Sequence, residues 1–200
     1  MKISSLIGTI AVAVAIASTV VVAPAAPVEA SSVYVNTISS SDNIGARSAV
    51  VHQSNGLPII VNSNYTGGTT VEVISCSRLD CSGSNTVTNL GHAPFGDADI
   101  AMAPDGRPVI VLSTGGSVVV VKCANTKCTS MGDRHAIDFA PPQAFAGFTD
   151  VSIDVRRNGE PVVAYTMADT FTALLMTVSC TTNDCSSYSC LLYTSPSPRD

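Results

Sequence analysis

Apolar residues fall along this chain in short runs broken by Gly, Pro, Asn and Asp. Three segments superpose: IGARSAVVHQSNGLPIIVNS, GDADIAMAPDGRPVIVLS and TDVSIDVRRNGEPVVAYT. Each holds an apolar run, a turn signal and a second apolar run. Asn55-Gly56, Asp105-Gly106 and Asn158-Gly159 supply residues suited to positive φ, and Pro58, Pro108 and Pro161 follow two positions after each glycine. Such dipeptides between apolar runs predict strand, tight turn, strand. The Gly-x-Pro signals recur at about fifty residues, a period that marks propellers, solenoids or arrays.

A third run follows in each repeat: VEVIS (71–75), VVVVK (118–122) and LLMTVS (174–179). A strand with one wet face alternates apolar and polar positions, so these unbroken runs predict burial on both faces. Enough chain remains in each repeat for a fourth strand and a link to the next. The expected fold is therefore all-β, a partial β-propeller of about three four-stranded blades truncated at the C-terminus, with repeats at about 43–95, 96–148 and 149–189. The same strands in a closed sandwich are the alternative, although a sandwich requires no repeated sequence.

The two ends read differently from the repeats. After Met1 and Lys2, residues 6–23 (LIGTIAVAVAIASTVVVA) carry no charge, and Ala/Pro-rich sequence follows. This is the layout of a secretory signal over residues 1–30, with an uncleaved membrane anchor as the alternative. Residues 31–42 read as a linker or first strand. At the other end CLLYTSPSPRD (190–200) breaks the pattern. Its codons can be written as a transposase-type sequencing adapter in frame, so it reads as a translated artefact, with the natural sequence continuing beyond Ser189.

Export governs how the cysteines read. Six of the seven form three copies of one spacing: Cys76 with Cys81, Cys123 with Cys128, and Cys180 with Cys185. In an oxidising compartment these are first of all disulfides. Zinc is the competing reading, but zinc pairs usually sit closer together. The expected location is secreted, periplasmic or cell surface, with a membrane contact only if the N-terminal segment stays uncleaved.

Composition narrows the partners. The chain carries 10 Lys and Arg against 15 Asp and Glu, a net charge of −5, and no Trp. With neither a basic stripe nor stacking aromatics, nucleic acid is excluded as an expected partner. An extracellular ligand, glycan or protein remains.

The Asp-led first strand, the Asn/Asp-Gly-x-Pro turn, the Val/Ile-rich second strand and Cys-x4-Cys after the third resemble secreted repeat proteins of the sialidase/BNR-like propeller superfamily, taken loosely. The resemblance covers residues 43 to about 187. It implies a propeller and exported location, and it implies no activity, because the Ser-x-Asp-x-Gly-x-x-Trp box of sialidases is missing. No catalytic residue carries over.

The residues themselves offer little chemistry. His52, His92 and His135 sit at unrelated repeat positions and pair with no nucleophile motif. Asp97 and Asp150 both lie nine residues before a turn glycine, a recurrence that suggests acceptance of backbone N–H groups in each repeat. Asp97 with Asp99 is also a calcium candidate, although no loop of alternating oxygen donors follows. Phe95 and Phe148 recur two residues before those aspartates and read as packing between repeats. Six residues after the turn glycine stand Asn62, Leu112 and Tyr165. Tyr165 is the ligand-binding candidate, a ring for sugar stacking or a core residue. Asn64-Tyr65-Thr66 is a glycosylation sequon.

Two functions follow: an exported binding, adhesive or scaffolding protein, or the N-terminal part of a propeller-fold glycoside hydrolase or lyase whose catalytic residues lie in further blades. No catalytic motif stands in the residues present.

Overall fold

The computed structural model describes residues 44–64, 70–92, 97–114, 116–139, 147–168 and 173–193. The signal-like segment 1–30, the linker 31–42, Phe95, most of the sequon and residues 194–200 lie outside them. Among the described residues there are twelve strands and no helix. They are β1 (Ile44–His52), β2 (Pro58–Asn64), β3 (Thr70–Ser75), β4 (Thr86–His92), β5 (Ala98–Met102), β6 (Pro108–Ser113), β7 (Ser117–Cys123), β8 (Met131–Phe139), β9 (Gly147–Val155), β10 (Pro161–Ala168), β11 (Ala173–Cys180) and β12 (Tyr188–Tyr193).

These strands form three antiparallel four-stranded sheets in simple meander order, β1-β2-β3-β4, β5-β6-β7-β8 and β9-β10-β11-β12. The sheets begin close to the expected repeat boundaries. The third starts at Gly147, two residues early, and its last strand runs to Tyr193, so the first four residues of the adapter-like tail belong to a strand. Strand pairing engages backbone groups that every residue carries, and the open edge of β11 accepts whatever chain follows it.

The turn glycines have the predicted handedness, with φ of 83° at Gly56, 76° at Gly106 and 90° at Gly159. The turn is longer than a two-residue hairpin. In sheet 2 the Gly106 N–H donates to the Ala103 carbonyl and the Ala103 N–H to the Arg107 carbonyl, which is a type I turn closed by a left-handed glycine. The Asx residue before each glycine has a definite task. Asn55, Asp105 and Asn158 each accept the N–H of the second residue on, Leu57, Arg107 and Glu160, at 3.0–3.1 Å. The prolines then open β2, β6 and β10, the first-residue position where a strand tolerates a missing donor.

The three sheets stack in sequence, with β5 against both β1 and β9. Strand alternation sorts the residues onto two faces. Ile59, Val61, Val71 and Val73 of sheet 1 meet Ala98, Ile100, Ile110, Leu112, Val119 and Val121 of sheet 2 in one core. The opposite face of sheet 2, with Ala101, Val109, Val111, Val118 and Val120, meets Val151, Ile153, Val163, Tyr165 and Val178 of sheet 3 in a second. Every residue of β6 is therefore buried, as are all of β7 after Ser117. Full burial of each such side chain contributes about 1.5–3 kcal/mol.

The expectation of two buried faces holds for the middle repeat and not for the third. Leu175 of β11 is exposed, because a face is dry only where another sheet lies on it.

Each cysteine pair is bonded, with Cα–Cα separations of 4.9–5.0 Å. Cys81, Cys128 and Cys185 have φ of 54°, 51° and 62°, a left-handed conformation unfavourable for non-glycine residues. Each donates its N–H three residues back, to Arg78, Asn125 and Thr182. A glycine would fit this turn more comfortably, but only cysteine can also tie it to the preceding strand.

Replacing Cys123 and Cys128 together by Ala is expected to lower stability by about 2 kcal/mol, the loop-closure value for so short a ring, in urea denaturation. Non-reducing digestion should recover each cysteine pair on adjoining peptides with no bridge between repeats.

Candidate functional site

The polar side chains of the repeats gather where the inner strands β1, β5 and β9 run beside one another. β9 is an edge strand, so one row of its N–H groups has no strand to receive it. Asp97 and Asp99, at i and i+2 on the approach to and within β5, point to the same side and take that row. Asp97 Oδ2 accepts from Val151 N at 3.1 Å, and Asp99 Oδ2 accepts from Ile153 N at 2.9 Å and from Ser152 Oγ at 3.0 Å. Their other oxygens accept from Ala98 N and Ile100 N. Both carboxylates of the calcium candidate thus hold backbone across the joint between sheets 2 and 3. Among the described residues no group of three or more His, Cys, Asp or Glu side chains is placed to hold a metal.

Counting nine residues back from the turn glycines gives Asp97, Asp150 and, in the first repeat, Arg47. These three equivalent positions come together. Arg47 lies 3.5 Å from Asp97 Oδ2 and 3.0 Å from Asp150 Oδ1, bridging all three sheets. In the sequence the two aspartates stand out by their shared identity and the arginine does not, although the same count locates it. Asp150 itself has a positive φ of 52° and a mostly exposed side chain, unlike Asp97.

Of the two readings of Tyr165, sugar-stacking ring or core residue, its burial fits the second. Its ring is fully buried between sheets 2 and 3, edge-on to Phe148 with centroids 5.7 Å apart. Burial, together with donation of its hydroxyl to Asp138 Oδ2, drives its pKa far above the phenol range. A ring so enclosed packs the core and offers no platform to a sugar. Asn62 and Leu112, at the equivalent position, are buried as well. Phe148 is placed as expected, between repeats.

Two further ionic contacts hold loops. Lys122 is 4% exposed and its Nζ lies 2.9 Å from Asp105 Oδ2, beside Arg107. Desolvation works to raise the Asp105 carboxyl, but hydrogen bonds from Lys122 and from the backbone and side chain of Arg107 outweigh it and hold the pKa at about 2. His135 of β8 lies 3.4 Å from Asp184 in the third disulfide loop. There too burial is outweighed, by the Ser186 N–H and the Thr182 and Ser186 hydroxyls, which keep Asp184 well below the usual carboxylate range. His52 is exposed at the end of β1. The His92 side chain lies outside the described residues. Arg156 reaches Glu160 at 3.5 Å and Ser179 Oγ at 2.8 Å, while Arg157 is exposed.

Asp97→Ala or Asp99→Ala removes an acceptor from buried backbone, and each is expected to cost about 1–3 kcal/mol. Asp150→Ala breaks only an exposed pair and should cost under about 1 kcal/mol. Equilibrium denaturation of the three variants tests this order. Asp105 carries a depressed folded pKa, so its contribution is present above its ordinary value of 3.8 and is lost as pH falls toward 2. Denaturation midpoints measured between pH 5 and 2 should fall less steeply for Asp105→Asn than for the parent chain.

Against known proteins, no family model, no curated protein and no solved structure matches this chain.

Proposed function

We propose that this chain is an exported β-propeller-type protein, akin to the sialidase/BNR-like repeat proteins its motifs resemble, whose role is to bind an extracellular glycan or protein. The three stacked meander sheets, joined through their first strands, support the blade reading. Three local disulfides are typical of exported proteins, and with the signal-like N-terminus they favour a secreted, periplasmic or surface location.

One observation favours binding over hydrolysis. A glycosidase needs a pair of carboxylates facing a substrate, and here Asp97 and Asp99 spend all four oxygens on neighbouring N–H and hydroxyl groups of the fold. Their position is explained by the joint they close.

The test is to produce the chain with its own leader, recover it outside the cytoplasm, and titrate it against immobilised glycans and surface proteins while assaying the same glycans for released sugar. Saturable binding without release is the expected result. Sustained release of sugar would overturn the binding reading in favour of a hydrolase or lyase, and recovery only from the cytoplasm would overturn export.

A further inference from the structure

The three Gly-x-Pro hairpins share one backbone geometry and differ in what braces them. Asn55, Asp105 and Asn158 precede the left-handed glycines Gly56, Gly106 and Gly159, and each Oδ1 accepts the N–H of the second residue on. In the second hairpin Asp105 is held by Arg107 at 2.8 Å and by the buried Lys122 at 2.9 Å. In the third, Arg156 reaches Glu160 at 3.5 Å and Ser179 Oγ at 2.8 Å, and Asn183 of the disulfide loop lies 3.1 Å from where a Cβ on Gly159 would stand. The first hairpin has the uncharged Gln53, Leu57 and Ser75 at the places of Arg156, Glu160 and Ser179. The Nε2 of Gln53 is buried with no hydrogen-bond partner among the described residues, an unsatisfied group that favours opening of this turn.

Asn55-Gly56 and Asn158-Gly159 are the chain's two Asn-Gly dipeptides. In such a pair the glycine backbone nitrogen attacks the asparagine Cγ, a succinimide ring closes, and the side-chain nitrogen leaves as ammonia with the proton the glycine gives up. Water then adds to one of the two ring carbonyls and the ring C–N bond at that carbonyl breaks, leaving aspartate or isoaspartate. Water is the only co-reactant. Glycine permits the attack because no Cβ shields its nitrogen. In the closed first hairpin the nucleophile is engaged, since the Gly56 N–H donates to the Gln53 carbonyl at 2.8 Å and Asn55 Oδ1 accepts from Leu57 N. The third hairpin holds the Gly159 N–H in the same way, at 2.9 Å from the Arg156 carbonyl. Both asparagines are exposed, so water reaches each, and what separates them is how often each turn opens.

We propose that Asn55 is a modification site of this chain, deamidated with water as co-reactant when the first hairpin opens. Asn158 has the same dipeptide but is shielded by the braces of its hairpin. The second repeat shows what the product does. Asp105 keeps the bond to the N–H two residues on, and it does so beside Arg107 and Lys122. A carboxylate at position 55 can keep that bond too, but it meets Leu57 and Ser75 where Asp105 meets the two cations. Isoaspartate adds a main-chain carbon ahead of Gly56, so the left-handed glycine no longer closes the turn. Deamidation therefore loosens the β1–β2 hairpin and leaves the other two as they are.

The experiment incubates the full chain, disulfides intact, in mildly alkaline buffer and follows the Asn55 and Asn158 peptides over time by mass spectrometry, with isoaspartate scored by enzymatic methyl transfer. The Asn55 peptide is expected to exchange its amide for a carboxyl first, with the Asn158 peptide lagging. The same incubation in urea should erase the gap, because both sites then present the same dipeptide in an open chain. Arg156→Gln removes a brace of the third hairpin and should speed conversion at Asn158 while leaving Asn55 unchanged. Conversion of Asn158 as fast as Asn55 in the folded chain would overturn the proposal. A gap that persists in urea would overturn it too, placing the difference in the neighbouring residues rather than in the fold. So would a folded chain whose Asn55 stays intact over a period that exhausts it in urea.

Discussion

A four-stranded sheet with apolar residues at both odd and even positions has no face it can give to water. That constraint organises this protein. Val109, Ile110, Val111 and Leu112 are consecutive in β6 and all are buried, an arrangement that a sheet covered on one side cannot satisfy. Sheet 2 must lie between two others, and since its strands are joined by short hairpins, the covering sheets come from the repeats before and after it. Stacking is the consequence of composition, and the order of the stack is the order of the sequence.

Stacked sheets meet face to face, which leaves their edges to be managed separately. The inner strand of each sheet has an open edge, the usual site of unwanted pairing. The joint between sheets 2 and 3 handles it with side chains. Asp97 and Asp99 accept the N–H groups of Val151 and Ile153, so two carboxylates stand where a neighbouring strand would have placed carbonyls. The first joint lacks this device, because the corresponding positions hold Arg47 and Ala49. Arg47 instead reaches the carboxylates of both later sheets. One repeat position thus serves as backbone acceptor in one sheet and as counter-charge in another.

Much of this was legible in the sequence, for reasons that differ by feature. The hairpins were, because Asn55-Gly56, Asp105-Gly106 and Asn158-Gly159 encode a local geometry that depends on little else. The disulfides were, because five residues of separation leave each cysteine one near partner. Exposure of β11 was not, since whether Leu175 is dry depends on what lies beyond sheet 3 and not on its own run. Tyr165 was misleading for a related reason. Its identity differs from Asn62 and Leu112, and variation at one repeat position invited a functional reading. Alternation from Val163, two residues earlier on the same strand face, already placed the ring in the core. The meeting of Arg47 with Asp97 and Asp150 required knowing that the sheets stack through their first strands.

The two ends of each sheet are consequently under different kinds of control. At the turn end, the Gly-x-Pro hairpin and the disulfide loop lie against each other: a Cβ on Gly106 would sit 3.4 Å from Thr126, and one on Gly159 would sit 3.1 Å from Asn183. Both devices are local, closed within about six residues, and can be repeated without regard to neighbours. Between the sheets, contacts such as Asp99 to Ile153 span more than fifty residues and depend on the repeats being in register. A change at the turn end therefore weakens one sheet, while a change among the inner strands loosens the joint between two. Because the local clips are the same in all three repeats and the inner-strand charges are not, the individuality of each repeat resides along β1, β5 and β9.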